Sequence, residues 1–292
     1  AASPDDPALG LLLGRRLAAG RFGHATARRA IDEATREFRV VKTIDLSMAA
    51  SPDDPAASGG HGAAEARLKD EVVRWEGLRH ERIIGVLGHV FEGHFLHLSL
   101  EFASGGSVVT LLEEFGPLEG PLLVRSARGA AEGLAFLHEC GLAHGNLRAS
   151  SLLTDCALGV KLSDFGFVGG CGRACLSLGA LPWTAPEAIQ RRVADDAGWL
   201  AADVWSFGCT LIELSTGEQP WGGQAALDDL LRALTCEAGP TPAVPEELAP
   251  EGQELARACL QRAPGDRPFA GELLAFEFFN VDEDSGAEGW LL

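Results

Sequence analysis

The sequence predicts an α+β chain in two lobes: a small antiparallel-sheet part carrying one helix, then a larger, mainly helical part. Three observations predict it. Short apolar segments of period two crowd the first hundred or so residues, and segments of helical period fill the rest. The change of character falls after Ser104-Gly105-Gly106. The two parts run 9–103 and 104–279, with an acidic tail at 280–292. With 292 residues, 46% of them hydrophobic and 23% charged, the chain exceeds one typical domain and can fill a sizeable core.

Taken in order, the first clear strand is Phe38-Arg39-Val40-Val41-Lys42-Thr43-Ile44, which sets Phe38, Val40, Lys42 and Ile44 on one face. From Ser47 to Ala64 the chain is dense in Ala, Ser, Pro, Asp and Gly and reads as a flexible loop. Leu68, Val72 and Trp75 then recur at helical spacing, predicting an amphipathic helix over 65–78. Glu92-Gly93 reads as the turn of a hairpin, followed by Leu96, Leu98 and Leu100 in alternation with polar His97 and Ser99. Leu123, Ala127, Ala130, Leu134 and Leu137 mark one long buried helix, and Val204, Phe207, Leu211 and Leu214 another. The tail beyond Phe279 is acidic and reads as loosely ordered. A cleft between two such parts is where a ligand is expected.

A formal net charge of −18 argues against nucleic acid or an anionic membrane as the main partner, since both are polyanions. A solvated acidic surface is its ordinary meaning. The seven cysteines are odd in number and scattered, without metal-ligand spacing to histidines, so free thiols in a reducing, cytoplasmic setting are expected. Cys171 and Cys175 lie close together in a Gly-rich stretch and read as incidental thiols. No apolar run reaches membrane-spanning length, and no signal peptide opens the sequence.

Several short motifs carry chemistry. In Leu17-Ala18-Ala19-Gly20-Arg21-Phe22-Gly23-His24-Ala25, Gly20 and Gly23 let backbone amides approach phosphate oxygens with no Cβ in the way. Asp164-Phe165-Gly166 follows a strand-like Gly159–Ser163, and its carboxylate suits Mg²⁺, which prefers oxygen ligands. Ala185-Pro186-Glu187, Asp203-Val204-Trp205-Ser206-Phe207-Gly208-Cys209 and Arg267-Pro268 follow in that order. Together with Lys42, Glu71 and His144-Gly145-Asn146-Leu147-Arg148-Ala149-Ser150-Ser151, these segments resemble a eukaryotic protein kinase domain from residue 17 to 279. Gly105-Gly106-Ser107 and the stretch from Asp203 to Pro220-Trp221 resemble the mitogen-activated protein kinase kinase kinases most.

The resemblance implies a bilobal protein kinase fold that binds ATP and Mg²⁺. Gly20 and Gly23 would cover the phosphates, with Ala18 and Ala25 departing from the family's glycine and valine. Lys42 would meet the ATP phosphates, held by Glu71, which lies nine residues before His80. Leu100 would be the gatekeeper, with the carbonyl of Glu101 and the amide of Ala103 on adenine. Asp164 would hold Mg²⁺, Glu187 would pair with Arg267, and Asp203 would anchor the catalytic loop. Trp75 occupies a position where the family stacks an apolar side chain on Phe165 and His144; it reads as core filling, or as a fix on the helix position.

The catalytic loop departs from His-Arg-Asp-Leu-Lys-x-x-Asn at four places. Asn146 replaces the aspartate that accepts the substrate proton, and an amide is no base. Arg148 replaces a lysine on the transferred phosphate, which keeps charge and changes shape. Ser151 replaces an asparagine at the second Mg²⁺ and would be a weak ligand; Gly145 replaces an arginine that meets an activation-loop phosphate. A fifth departure, Ala180, stands where the family has a threonine bonded to this loop. Three readings follow: an ATP-binding but catalytically impaired scaffold or allosteric partner of other proteins, an active serine/threonine kinase with protein substrates, or a nucleotide-free structural subunit. The sequence leaves the partner, the pathway and the oligomeric state open.

Overall fold

The computed structural model of the chain describes residues 10–19, 25–46, 61–165, 178–190, 193, 196–222 and 226–280. They fall into two units, Ala1–Ala103 with Gly166–Gly179, and Ser104–Phe165 with Ala180–Leu292.

In the first unit, Leu11–Ala19 (β1), Ala25–Asp32 (β2), Phe38–Asp45 (β3), Val86–Glu92 (β4) and Phe95–Glu101 (β5) form an antiparallel sheet of order β1-β2-β3-β5-β4. The β2–β3 turn is closed by Asp32, whose Oδ1 accepts the amides of Ala34 at 3.0 Å and Thr35 at 3.1 Å. Those bonds, the Thr35 amide first, hold its carboxyl below the usual range. The hairpin turn between β4 and β5 falls at Gly93-His94, one residue later than expected, with Glu92 still paired to Phe95 and Gly93 at φ +59°.

Strand β5 corrects one expectation. Alternation with leucines implies that His97 and Ser99 face water, yet they are 0% and 7% exposed. The strand lies inside the sheet, between β3 and β4, and both of its faces are covered. His97 meets this burial with a cross-strand bond, Nδ1 to Thr43 Oγ1 at 2.9 Å, and burial pushes its pKa down.

The one helix of this unit, His61–Gly77 (α1), starts four residues earlier than the apolar period implies. The sequence places Ala63 and Ala64 in the loop, but alanine is the best helix former and the helix runs through both. Residues 47–60 of the expected loop lie outside the described residues. Leu68, Val72 and Trp75 are all buried, so Trp75 is core. The helix is tied to β4 by His89 Nδ1 to Glu76 Oε1 at 2.7 Å and by Lys69 over the Phe91 ring at 5.2 Å.

The second unit begins with a three-stranded sheet, Gly106–Ser107 (β6), Leu152–Thr154 (β7) and Val160–Leu162 (β8), in that order. Gly105 donates its amide to Thr154 O at 2.9 Å, and a Cβ on it would lie 2.4 Å from Thr154 Oγ1, so only glycine fits. The helices are Val108–Phe115 (α2), Gly120–Glu139 (α3), Pro186–Ile189 (α4), Asp196–Thr216 (α5), Leu227–Thr235 (α6), Pro250–Cys259 (α7) and Ala270–Leu273 (α8). The apolar residues that predicted two long helices are buried in α3 and α5. Trp183, Trp205, Cys209, Ile212 and Leu234 build a core around α5. Burial raises the Cys209 and Cys259 thiols, which makes them inert. Among the described residues no helix is long and apolar enough to cross a membrane, and Cys140, Cys156, Cys209, Cys236 and Cys259 are free thiols.

The resemblance implied that Glu187 and Arg267 pair, and they do. Arg267 Nη1 and Nη2 donate to Glu187 Oε1 and Oε2 at 2.7 and 2.9 Å, a two-pronged pair shielded from water. The same guanidinium donates to the carbonyls of Ala201 and Gln261 at 2.8 and 2.7 Å and lies 5.2 Å from the Trp205 ring. Every direction of the fork is satisfied, which is the condition under which a buried charge is tolerated.

Candidate active site

The 144–151 loop is shaped by one carboxylate from α5. Asp203, 1% exposed, accepts His144 N at 2.6 Å and His138 Nε2 at 3.0 Å on Oδ2, and Gly145 N at 2.7 Å on Oδ1. Three donors compensate a charge that would otherwise be costly to bury. Gly145 has φ +76°, a region that favours glycine. The residue that removes an arginine therefore also lets this turn form unstrained.

His144 is buried, and its Nδ1 accepts the Asn146 amide at 3.2 Å. An acceptor at Nδ1 assigns the proton to Nε2 and leaves the ring neutral. Burial drives its pKa down, against the pull of Asp203 and Asp164. Asn146 follows on the loop, half-buried, its backbone fixed by this bond.

The next residues close on themselves. Ser151 Oγ donates to Arg148 O at 2.8 Å and accepts Arg148 N at 3.1 Å, drawing Ala149–Ser151 into a 3₁₀ turn. The hydroxyl expected as a weak metal ligand is thus engaged by the backbone, on a residue 1% exposed. Arg148 is 4% exposed, with its guanidinium 5.7 Å from the Trp183 ring. Trp183 Nε1 donates to Glu213 Oε2 at 2.8 Å, and the same oxygen accepts Ala149 N at 2.8 Å. Glu213 therefore joins the loop to the segment after Ala180. Sequence reasoning passed over Glu213 and Trp183; the signal was a carboxylate on the apolar face of α5, between Leu211 and Leu214.

Ser151 also places Asp164. Its carbonyl accepts Ser163 N at 2.8 Å and Ser163 Oγ at 3.0 Å, which ties the end of β8 to the loop. Asp164 follows at φ +63°, in the left-handed region that a side chain enters at a cost of about 1 kcal/mol or more. Phe165 next to it is 6% exposed.

The first unit carries the other expected residues. Lys42 sits in β3 opposite Ala27 and Leu98, and Glu71 lies in α1. Val40 pairs with Leu100 in the same register, so Val40, Lys42, Leu98 and Leu100 share one sheet face. Glu101 ends β5; its amide donates to Gly85 O at 3.0 Å and its Oε2 accepts Gly85 N at 3.2 Å. Ala103 is the last residue before the division between units. Gly20 and Gly23 lie outside the described residues.

Comparison with known proteins gives a consistent answer. The profile of the protein kinase domain matches residues 13–279. The chain is 30% identical over 268 residues to the mitogen-activated protein kinase kinase kinase YODA of Arabidopsis thaliana, covering 91% of this chain and 29% of that protein. It is 32% identical over 279 residues to mitogen-activated protein kinase kinase kinase 5 of the same plant, covering 92% of the chain and 36% of the relative. The serine/threonine-protein kinase BCK1/SLK1/SSP31 of Saccharomyces cerevisiae is 28% identical over 279 residues, 92% of this chain and 18% of that protein. The chain thus spans between 18% and 36% of the length of these relatives.

Proposed function

This chain belongs to the protein kinase family, and from that premise we propose that it binds ATP with Mg²⁺ but transfers the γ-phosphoryl group poorly, acting on partner proteins as a scaffold or allosteric partner. The observation that carries the reading is the state of the 144–151 loop. Its frame, the three donors on Asp203, is complete, while the group standing at the base position is the Asn146 amide.

The donor set fits the nucleotide and one metal. The Asp164 carboxylate is an oxygen ligand of the kind Mg²⁺ prefers, and the seam from Ser151 to Ser163 fixes the backbone beside it. Ser151, its hydroxyl committed to Arg148, supports a single-metal site better than a two-metal one. Lys42, oriented by Glu71, would hold phosphate oxygens, Gly20 and Gly23 would cover them, and Glu101 O and Ala103 N would hold adenine. Asp164 would hold Mg²⁺, which when bound would supply positive charge to the phosphates. What the chain lacks is a proton acceptor: the Asn146 side chain can hydrogen-bond a substrate hydroxyl and cannot take its proton.

A general base contributes roughly 10²–10⁴-fold, so slow transfer persists by positioning and charge alone. The test measures ATP binding by calorimetry beside transfer from labelled ATP, in the parent chain, in Asn146→Asp, and in Asn146→Asp/Ser151→Asn. The expected result is binding in all three and transfer at least about a hundredfold faster in the aspartate variants. Loss of all binding in the parent would sink the nucleotide half.

A second reading, an active serine/threonine kinase, is supported by the fully assembled loop frame and by relatives named as kinases of mitogen-activated cascades. Parent transfer as fast as that of Asn146→Asp, and abolished in Lys42→Met and Asp164→Ala, would establish it. Placement in the cytoplasm belongs with either reading.

A further inference from the structure

The hinge segment Glu101-Phe102-Ala103 is held from two sides within its own unit, and only one of them is backbone. Glu101 is bonded to Gly85 in both directions, its amide to the carbonyl and its carboxylate to the amide. Phe102 is held by a cation. The Arg29 guanidinium lies 4.9 Å from the Phe102 ring centroid and 5.6 Å from that of Phe38, and the two rings are 5.6 Å apart at an interplanar angle of 45°.

Strand register explains how residues from separate strands converge. Arg29 of β2 pairs with Val40 of β3, and Val40 pairs with Leu100 of β5. Phe38 lies two residues before Val40 on the same strand and returns to its face, and Phe102 follows directly after Glu101, the last residue of β5. Arg29 and Phe38 therefore share the face that carries Lys42, and the ring contacts bring Phe102 to them. The Arg29 Nε is buried and has no hydrogen-bond partner among the described residues. Its interaction is with rings, and a guanidinium stacks on aromatic faces better than an ammonium does.

We infer that Arg29 is a positioning residue for the adenine site, resting on the nucleotide-binding reading above. It fixes the Phe102 ring, and through it the peptide units that present Glu101 O and Ala103 N. Removal of Arg29 lets the Phe102 side chain turn, and the two backbone groups lose their common alignment for a planar base. A site that needs its donors and acceptors in fixed places loses affinity when they loosen.

Two ligands separate this role from general destabilisation: Mg·ATP, which uses the hinge, and Mg·tripolyphosphate, which carries the phosphates without the base. Dissociation constants are measured by calorimetry for the parent chain, Arg29→Ala, Arg29→Lys, Phe102→Leu and Arg29→Ala/Phe102→Leu, with melting temperatures taken without ligand. In Arg29→Ala, Mg·ATP should bind about threefold to tenfold more weakly while Mg·tripolyphosphate is unchanged. Arg29→Lys should recover part of the loss, and in the Phe102→Leu background removal of Arg29 should have almost no further effect. Equal losses for the two ligands, or the same loss with and without the Phe102 ring, would overturn the inference. So would an unchanged Mg·ATP affinity in Arg29→Ala. A parent chain that binds neither ligand would overturn the nucleotide reading and the inference together; a parent that binds both, with no coupling between Arg29 and Phe102, overturns the inference alone.

Discussion

The Glu187–Arg267 pair and the 144–151 loop lie in the same unit and stand in opposite relation to the protein kinase pattern. The pair matches it fully and is shielded from water, with five guanidinium bonds to Glu187, Ala201, Gln261 and Arg262. The loop departs from it at Gly145, Asn146, Arg148 and Ser151: Gly145 takes a positive φ, the Asn146 backbone amide bonds to His144, the Arg148 guanidinium lies over the Trp183 ring, and Ser151 closes on Arg148. The difference follows from what each group holds. Removing one buried charge strands the other, whereas a loop side chain that faced a substrate leaves nothing unpaired when it is exchanged. Architecture and reaction are thus separable here, since Asp203 grips the backbone of His144 and Gly145 and is indifferent to the side chain at 146.

The largest effect should come from breaking the pair. Arg267→Ala is expected to destabilise the chain by about 3–5 kcal/mol, read as a lowered midpoint in denaturant at unchanged slope. A loss under about 1 kcal/mol would mean that the pair is no more than a surface contact. Next comes the loop. Asn146→Asp should raise transfer about a hundredfold or more while moving stability by about 0.5 kcal/mol or less, measured by labelled-ATP turnover and thermal melting. If stability moved as far as rate, the separation would fail. Smaller again is Gly145→Ala, which forces a side chain into φ +76° and should cost about 1 kcal/mol in the same melts.

The smallest effect is a pH dependence that both units share. His144 and His97 have pKa values lowered by burial. The unfolded chain therefore takes up protons near pH 6.5 that the folded chain refuses until lower pH. Stability is full above about 6.5 and falls as pH drops from there through the folded-state values. Denaturant midpoints at pH 7.5, 6.5 and 5.5 should decline in that order; a flat profile would show that neither ring is buried in solution.

Much of the fold was legible because the residues that fix it have few alternatives. The resemblance to the kinase pattern implied Asp203 and the Glu187–Arg267 pair as frame, and the buried bonds of both agree. The shared face of Phe38, Val40, Lys42 and Ile44 and both long helices followed from periodicity, while the pairing of the strands did not. The misses are equally physical. Burial of His97 and Ser99 depends on which strands flank β5 and what covers it, and alternation along one strand carries no word of that. The early start of α1 was hidden by a composition that serves loop and helix alike. In the site, Asn146 was visible as a departure, but the closure of Ser151 on Arg148 and the stacking of Arg148 on Trp183 depend on loop dihedrals that residue identities do not encode. Arg29 and Phe102 lie 73 positions apart (102 − 29), joined only by the sheet.

Gly145 has one more consequence, and it concerns regulation. A loop whose shape is reached without torsional strain, and which has no guanidinium at this position, offers a phosphate nothing to grip at 145 and no tension to release. Signals that act through such a phosphate–arginine contact have no handle there. On the proposed reading, such a chain would be set by what binds it, its output following partner and nucleotide concentrations instead of a covalent on–off mark read at the loop.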